Sequence, residues 1–200
     1  MAISAQSRAI FVQAFKASLP ILIGYGSMGF AAGVVFAARS GIDAPALWSG
    51  AIAAATLSGT LQFVICDWLA KDLPLATVAF LTLTISFRYA LYGFSLLDRW
   101  RGAGIWRKLF LISGLADENY AIEASCRIAD KKDYARFCTY LTALDIFYWF
   151  AGNLTGALAG SKLSIPGKGM EFVMAALFIS VLTDQVCLLF KDFMARRAAR

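Results

Sequence analysis

One arginine lies inside a stretch that is otherwise apolar or aromatic. The stretch ISFRYALYGFSLL covers residues 85–97 and contains Arg88. Helical spacing places Thr84, Tyr92 and Ser95 on the same face as Arg88. A guanidinium within a membrane costs roughly 2.5–3.5 kcal/mol by insertion scales, so it should face protein or a water-filled path and have a partner. Such a group either forms a structural ion pair or binds an anionic part of a substrate, and the sequence leaves both open.

Four carboxylates are candidate partners for this arginine: Asp117, Glu118, Asp145 and Asp184. The first two are adjacent in SGLADENYAIEA, just past a short apolar run. Paired acids near the tip of a re-entrant segment can hold a proton or a substrate ammonium group. Alternatively, Asp117 only caps a new helix. The other two acids lie inside segments that are predicted to cross a membrane.

A second polar interruption is TLSGTLQF, residues 56–63. Gly59 in this apolar segment allows the helix to break, which frees backbone N–H groups next to Ser58. Such groups can bind a carboxylate, and Gln62 lies close by in the sequence.

Small residues recur in DIFYWFAGNLTGALAG. Gly152, Gly156 and Gly160 follow one another at intervals of four positions, and Asp145 and Trp149 extend the same helix face. This spacing favours close helix contact in membranes, so plain packing is one interpretation of this face.

The composition indicates an integral membrane protein with one domain of 200 residues. Apolar residues make up 60% and charged residues 16%, against roughly 45–50% and about 25% in soluble domains. The net charge of +6 comes from basic residues between apolar runs, which is typical of loops that face anionic lipid. We therefore expect no nucleic-acid partner.

Cofactor chemistry has little support in the sequence. The chain has no histidine, its four cysteines form no C-x-x-C pair, and no ATP-binding loop is present. We expect no metal, no cofactor and no enzymatic activity.

The elements that must position these residues are predicted to be helices. An all-α polytopic bundle of about four to six spanning helices is expected, since each span needs roughly 20 apolar residues. The predicted spans are 19–38, 73–97, 137–160 and 170–190, and the tail 191–200 is basic. Segments 44–69 and 108–126 are long enough to be considered but are interrupted by polar residues.

Two topologies place most basic residues on one side of the membrane. In one, the N-terminus is inside and both interrupted segments are re-entrant. In the other, the N-terminus is outside and only 108–126 fails to cross. Both predict that 108–126 does not cross. The first also suits an inverted repeat with broken helices near the midplane.

Five motifs in order give the chain a resemblance to the AzlC family, the large subunit of two-component branched-chain amino-acid exporters. They are SGTLQF (58–63), SFRYALYG (86–93), ADENYAI (116–122), YWFAGNLTGALAG (148–160) and AALFISVLTDQ (175–185). The resemblance implies a multi-pass protein of the bacterial inner membrane. It also implies a small, very hydrophobic AzlD-like partner subunit and an amino-acid substrate.

An amino-acid zwitterion gives the polar residues plausible roles. Arg88 or the backbone near Ser58, with Gln62 beside it, would bind the carboxylate. Asp117 or Glu118 would bind the ammonium group. The side chain would meet an aromatic wall formed by three residues: Tyr92, Tyr148 and Trp149.

Export against a gradient requires an ion, and the proton is the expected one. The candidate coupling residues are Asp117, Glu118, Asp145 and Asp184.

The chain departs from the family pattern at several positions. The family usually has asparagine, histidine and threonine where this chain has Ser86, Tyr89 and Ala116, so the substrate can differ from branched-chain amino acids. Family members also usually continue with hydrophobic sequence where this chain has the tail 191–200, so a partner is expected to complete the fold.

Two other functions are alternatives to transport. A membrane enzyme acting on a lipid or isoprenoid would need paired carboxylates for a metal, and only Asp117 and Glu118 hint at that. A non-transporting scaffold would lack buried charge, which Arg88, Asp145 and Asp184 argue against.

Overall fold

The computed structural model describes residues 5–71, 73–163 and the isolated positions 169, 172, 176, 179 and 183. Regular structure within these residues is entirely helical, which confirms the all-α prediction. The helices are α1 (Ala5–Arg39), α2 (Pro45–Thr56), α3 (Gly59–Ala70), α4 (Leu75–Leu96), α5 (Ile105–Ser113), α6 (Asp117–Ser125) and α7 (Lys131–Leu163). Apart from the isolated positions, the predicted span 170–190 and the tail 191–200 lie outside the described residues.

The centre of the fold is a pair of long parallel helices, α1 and α7. At 1.5 Å per residue, the 35 residues of α1 extend about 52 Å, well beyond the hydrocarbon core of a bilayer. Near the start of both helices, the Gln6 side-chain amide donates to Asp133 at 2.6 Å. Further along, the Ser18 and Tyr148 hydroxyls lie 3.0 Å apart. Because sequence numbers rise together along the contact, the two helices run in the same direction.

Glycines bring the α1 and α7 backbones into contact. A methyl group added to Gly156 would overlap the Phe30 carbonyl oxygen, and one added to Gly33 would come within 2.6 Å of the Ala157 nitrogen. Gly160 also lies against α1, with its added methyl 3.2 Å from the Val34 Cα. The small-residue face of α7 is therefore a helix–helix interface, as its spacing predicts.

Helix α4 runs antiparallel to this pair. The chain just after α4 lies at the beginning of α7, where the Arg99 guanidinium stacks over the Tyr134 ring at 4.0 Å. The middle of α4, at Arg88, shares a cavity with Trp149 in the middle of α7. We call the end of the bundle where α1 and α7 begin the N-terminal end.

The predicted break in segment 44–69 divides it into a helical hairpin. The break falls at Leu57, which adopts a left-handed conformation with φ 41°, and at Ser58, which caps α3. The Gln62 side-chain amide donates to the Ser49 carbonyl at 3.3 Å, so α3 folds back along α2. The last turn of α3 returns to the start of α4, where Trp68 and other apolar side chains share a pocket with Leu75. Both ends of this hairpin therefore lie at one end of the bundle, opposite the N-terminal end.

Segment 108–126 forms a second hairpin, which enters from the N-terminal end. Before α5, Gly102 packs against Lys131 at the start of α7. The tip between α5 and α6 lies beside Arg88 in the middle of the bundle. After α6 the chain is back near Arg99, whose guanidinium donates to the Glu123 carbonyl at 2.7 Å.

These directions distinguish the two predicted topologies. If α1 and α7 both cross a membrane, their parallel packing places the N-terminus and the start of α7 on the same side. In that case, the arrangement in which only 108–126 fails to cross does not fit the packing, because it would make α1 and α7 antiparallel. The arrangement with two returning segments fits the structure.

By length and hydropathy, α1 and α4 are the helices that could span a membrane within the described part of the chain. Helix α7 is comparably long, but it is more polar because buried residues such as Asp145 and Asn153 face the protein interior.

Candidate functional site

The tips of the two hairpins meet beside α4 in the middle of the bundle. They line a small, partly open cavity, which we call the central cavity, with a volume of about 30 Å³. Its lining residues are Tyr25, Met28, Leu57, Gly59, Thr60, Arg88, Tyr89, Ala116, Asp117, Glu118 and Trp149. The volume suffices for a water molecule or two.

Arg88 is the cation of this cavity, and its partner is Asp117. The guanidinium Nη1 lies 2.9 Å from an Asp117 carboxylate oxygen, and both side chains are 35% exposed. Nη2 donates to the Tyr89 hydroxyl at 3.1 Å, and that hydroxyl lies 3.2 Å from the Ser58 hydroxyl. A polar network therefore connects the tips of both hairpins through α4.

The Asp117 carboxylate can pair with Arg88 because the Asn119 side chain makes the capping hydrogen bonds at the start of α6. Ala116 occupies the cap position. The Asn119 side chain accepts from the Ala116 backbone N–H at 2.6 Å and donates to the Gly114 carbonyl at 2.8 Å. The alternative that Asp117 only caps the helix is therefore wrong. Asp117 is the first residue of α6, and one of its carboxylate oxygens has no hydrogen-bond partner within the described chain.

Glu118 faces the opposite wall of the cavity. Its carboxylate accepts a hydrogen bond from the Tyr25 hydroxyl of α1 at 2.9 Å. The Tyr25 ring in turn packs edge-on against Trp149 of α7, with the ring centroids 5.6 Å apart. The two adjacent acids therefore point to different partners, as expected for neighbouring positions about 100° apart on a helix.

The N-terminus of α3 points into the same cavity. The Ser58 hydroxyl accepts from the Leu61 N–H at 3.3 Å, which satisfies one of the first N–H groups of the helix. The N–H groups of Gly59 and Thr60 have no acceptor within the described residues. Since α6 also begins here, the positive ends of two helix dipoles converge beside Arg88.

The structure places the other predicted site residues around this centre. Gln62 is buried between the arms of the first hairpin, where it bonds to the Ser49 carbonyl. Tyr92 lies one turn beyond Arg88 on α4, where its ring stacks on the ring of Tyr120 of α6 with the centroids 4.3 Å apart. Tyr148 lies outside the cavity lining, with its hydroxyl 3.0 Å from that of Ser18.

The predicted coupling acids differ in their surroundings. Asp145 is buried with 1% exposure, and neither of its carboxyl oxygens has a hydrogen-bond partner in the described chain. Asp184 lies outside the described residues. Among the residues that the structure does describe, no group of three metal-ligating side chains is found.

Sequence reasoning did not assign Tyr25 or Tyr89 to the site. Tyr25 interrupts the apolar run of α1, and Tyr89 follows Arg88 directly in the sequence. A tyrosine hydroxyl within a lipid-embedded segment needs a polar partner, and that requirement is the signal that identifies both residues.

The sequence of the chain matches a known protein family. The family described as AzlC protein matches residues 20–163, which include every residue that lines the central cavity. No solved structure gives a significant match to the chain.

Several relatives are similar over most of the chain. The branched-chain amino acid transport protein AzlC of Bacillus subtilis is 34% identical over 179 residues, which are 88% of this chain and 68% of the relative. An uncharacterized membrane protein of Helicobacter pylori is 32% identical, with 88% of this chain and 77% of the relative covered. The inner membrane protein YgaZ of Escherichia coli is 30% identical, with 89% and 74% covered.

Proposed function

The chain belongs to the AzlC family, and on that premise we propose that it is a permease subunit that exports branched-chain or other small amino acids. One relative carries the name of a branched-chain amino acid transport protein, which supports the substrate class. The structural support is the central cavity, where a cation, two acids and the N-termini of two helices lie together in the middle of an apolar bundle.

The polar groups of the cavity match both ends of an amino acid. The Arg88 guanidinium and the N–H groups of Gly59 and Thr60 are suited to a carboxylate. Asp117 and Glu118 are suited to an ammonium group, and the Trp149 ring provides an apolar surface beside them. Charge-assisted hydrogen bonds of this kind are the strong ones in proteins.

The ion pair in the cavity acts as a substitute for the substrate. Asp117 occupies Arg88 as a substrate carboxylate would, and Arg88 occupies Asp117 as a substrate ammonium would. Since the cavity holds only a water or two, an amino acid enters when this pair separates and the hairpin tips move apart. The Arg88–Asp117 pair is then replaced by two ion pairs with the substrate. Because no charge is left unpaired, the free-energy cost of opening is limited.

The distribution of charge supports an orientation in the membrane. The described basic residues concentrate at the N-terminal end of the bundle, in the loops that flank α5, α6 and the start of α7. The positive-inside rule assigns that end to the cytoplasm. The two hairpins are then re-entrant from opposite faces, in a multi-pass protein of the bacterial inner membrane.

Export against a gradient needs an energy source, and we propose that a proton gradient supplies it. Asp117, Glu118, Asp145 and Asp184 are the acids proposed to couple it. A small, hydrophobic AzlD-like subunit is proposed as the partner, and α4 offers it a large surface, since the apolar core of this helix is not buried within the described chain.

Efflux from living cells tests the proposal. Cells that carry the full chain, with and without the neighbouring gene for a small membrane protein, are preloaded with labelled leucine, isoleucine or valine. Faster release than from cells with the empty vector supports export, and a requirement for the second gene supports the partner. No difference from the empty vector for any of the small amino acids would refute the proposed function.

A further inference from the structure

Glu123 is a fully buried carboxyl group that lies outside the central cavity. It is on α6, has 0% exposure, and neither carboxyl oxygen has a hydrogen-bond partner within the described residues. The Trp100 indole and the Cys138 thiol face its carboxyl group, and neither forms a hydrogen bond with it. An ionised carboxylate here would lose its hydration without a hydrogen bond to replace it, so burial favours the protonated form of Glu123.

The cation beside Glu123 is already engaged elsewhere. Arg99 donates to the backbone carbonyls of Glu123, Ala124 and Cys126 at the end of α6, and its guanidinium stacks over Tyr134. Its charge therefore satisfies the C-terminus of the helix rather than the Glu123 carboxyl.

Asp145 is a second buried carboxyl group, one helix turn before Trp149, which lines the central cavity. It is buried, and its carboxyl oxygens are also without hydrogen-bond partners in the described chain. The Asn119 amide and the Tyr25 hydroxyl are polar groups near Asp145.

Beyond Glu123 lies a second cavity, which we call the Arg99 pocket. It has a volume of about 110 Å³, large enough for a few water molecules. Its lining residues are Arg99, Ile128, Ala129, Lys131 and Tyr134. The Tyr134 hydroxyl donates to the Glu123 carbonyl at 2.9 Å, so the pocket directly adjoins the Glu123 backbone.

We propose that Glu123 and Asp145, two buried carboxyl groups without hydrogen-bond partners in the described chain, are a proton site separate from the substrate cavity. This inference rests on the proposed function, because it describes how the exporter is coupled. The site binds a proton on one side of the transport cycle and releases it on the other, and water in the adjoining Arg99 pocket supplies or accepts that proton.

Transport in membrane vesicles separates coupling from substrate movement. Inverted vesicles are prepared from cells that express the full chain with its neighbouring small membrane gene. Two rates are measured with labelled leucine: accumulation driven by a pH gradient, and counterflow exchange at equal pH, which requires no net proton movement. We expect Glu123→Gln to lose most gradient-driven accumulation and to keep counterflow. Glu123→Asp, which retains an ionisable group, should recover part of the accumulation.

The matched control is Asp98→Asn, which neutralises an exposed acid in the loop after α4 and should behave like the wild type. Infrared spectra give an independent measurement, because the C=O stretch of a protonated carboxylic acid should be present in the wild type and weaker in Glu123→Gln.

Each other outcome contradicts a specific step. Normal gradient-driven accumulation in Glu123→Gln would overturn the proton site while leaving the proposed function intact. Loss of counterflow along with accumulation in Glu123→Gln, with no recovery in Glu123→Asp, would assign Glu123 a structural role instead. An unchanged infrared band in Glu123→Gln would show that Glu123 is not protonated. Absence of both rates in the wild type would refute the proposed function itself.

Discussion

Replacement of Arg88 by lysine tests the central cavity most directly. Lysine keeps the positive charge but has a single ammonium group, whereas Arg88 uses separate nitrogens for Asp117 and for Tyr89. A lysine cannot bridge both partners in the same geometry. The substitution therefore removes the directed contact that the proposed substrate carboxylate would use, while leaving the local charge in place.

The expected effect follows from one lost charge-assisted hydrogen bond. Such a bond contributes roughly 1.5–3 kcal/mol, which corresponds to about 10- to 150-fold in rate at low substrate concentration. Because the Arg88 side chain is 35% exposed, water screens the interaction, so the lower end of this range is expected. Arg88→Ala removes the charge as well and should abolish export while leaving membrane insertion largely intact.

The assay is the initial rate of leucine efflux, normalised to the amount of protein in the membrane. Arg101→Lys is the matched control, because Arg101 forms an exposed ion pair with Asp98 far from the cavity. Rates for Arg88→Lys and Arg88→Ala that equal the wild-type rate would refute the substrate role of Arg88. An Arg88→Ala variant that fails to accumulate, beside a fully active Arg88→Lys variant, would instead identify a structural ion pair.

Three further predictions concern packing, topology and the second acid. Gly156→Ala should reduce membrane accumulation, since overpacking costs about 1–3 kcal/mol, whereas Gly26→Ala, which meets nothing within 4 Å, should accumulate normally in an immunoblot of the membrane fraction. Cysteines introduced at Lys71 and at Gly104 should react with a membrane-impermeant reagent from opposite faces, and labelling from one face would contradict the two re-entrant hairpins. Tyr25→Phe keeps the ring but removes the hydroxyl that donates to the Glu118 carboxylate. The rate of efflux should therefore fall about 10-fold, while the amount of protein in the membrane should stay unchanged.

The sequence predicted the elements better than their arrangement. Hydrophobic runs located the long helices, and the polar interruption at Ser58 located the break between α2 and α3, because a cap residue and a glycine end one helix and begin the next. The glycine spacing of α7 predicted a close interface. These features are local, and a helical period or a cap is visible within a few residues.

The partners across the site were not predictable in the same way. The sequence offered four acids for Arg88, and only the fold selects Asp117 from among them. The contact between Tyr25 and Glu118 joins residues 93 positions apart. Charge counting also left two topologies equal, because the direction of α7 relative to α1 depends on packing and not on hydropathy.

The backbone contact between α1 and α7 has a mechanical consequence. Where the two helices meet through glycines, their main chains touch directly and few side chains are available to repack, so sliding or tilting there would separate the main chains. They form a stiff frame, while α4 and the two hairpins touch that frame over smaller areas and can shift against it. Cross-linking α1 to α7 should therefore leave export unaffected, whereas tethering α4 to the tip of the second hairpin should arrest it.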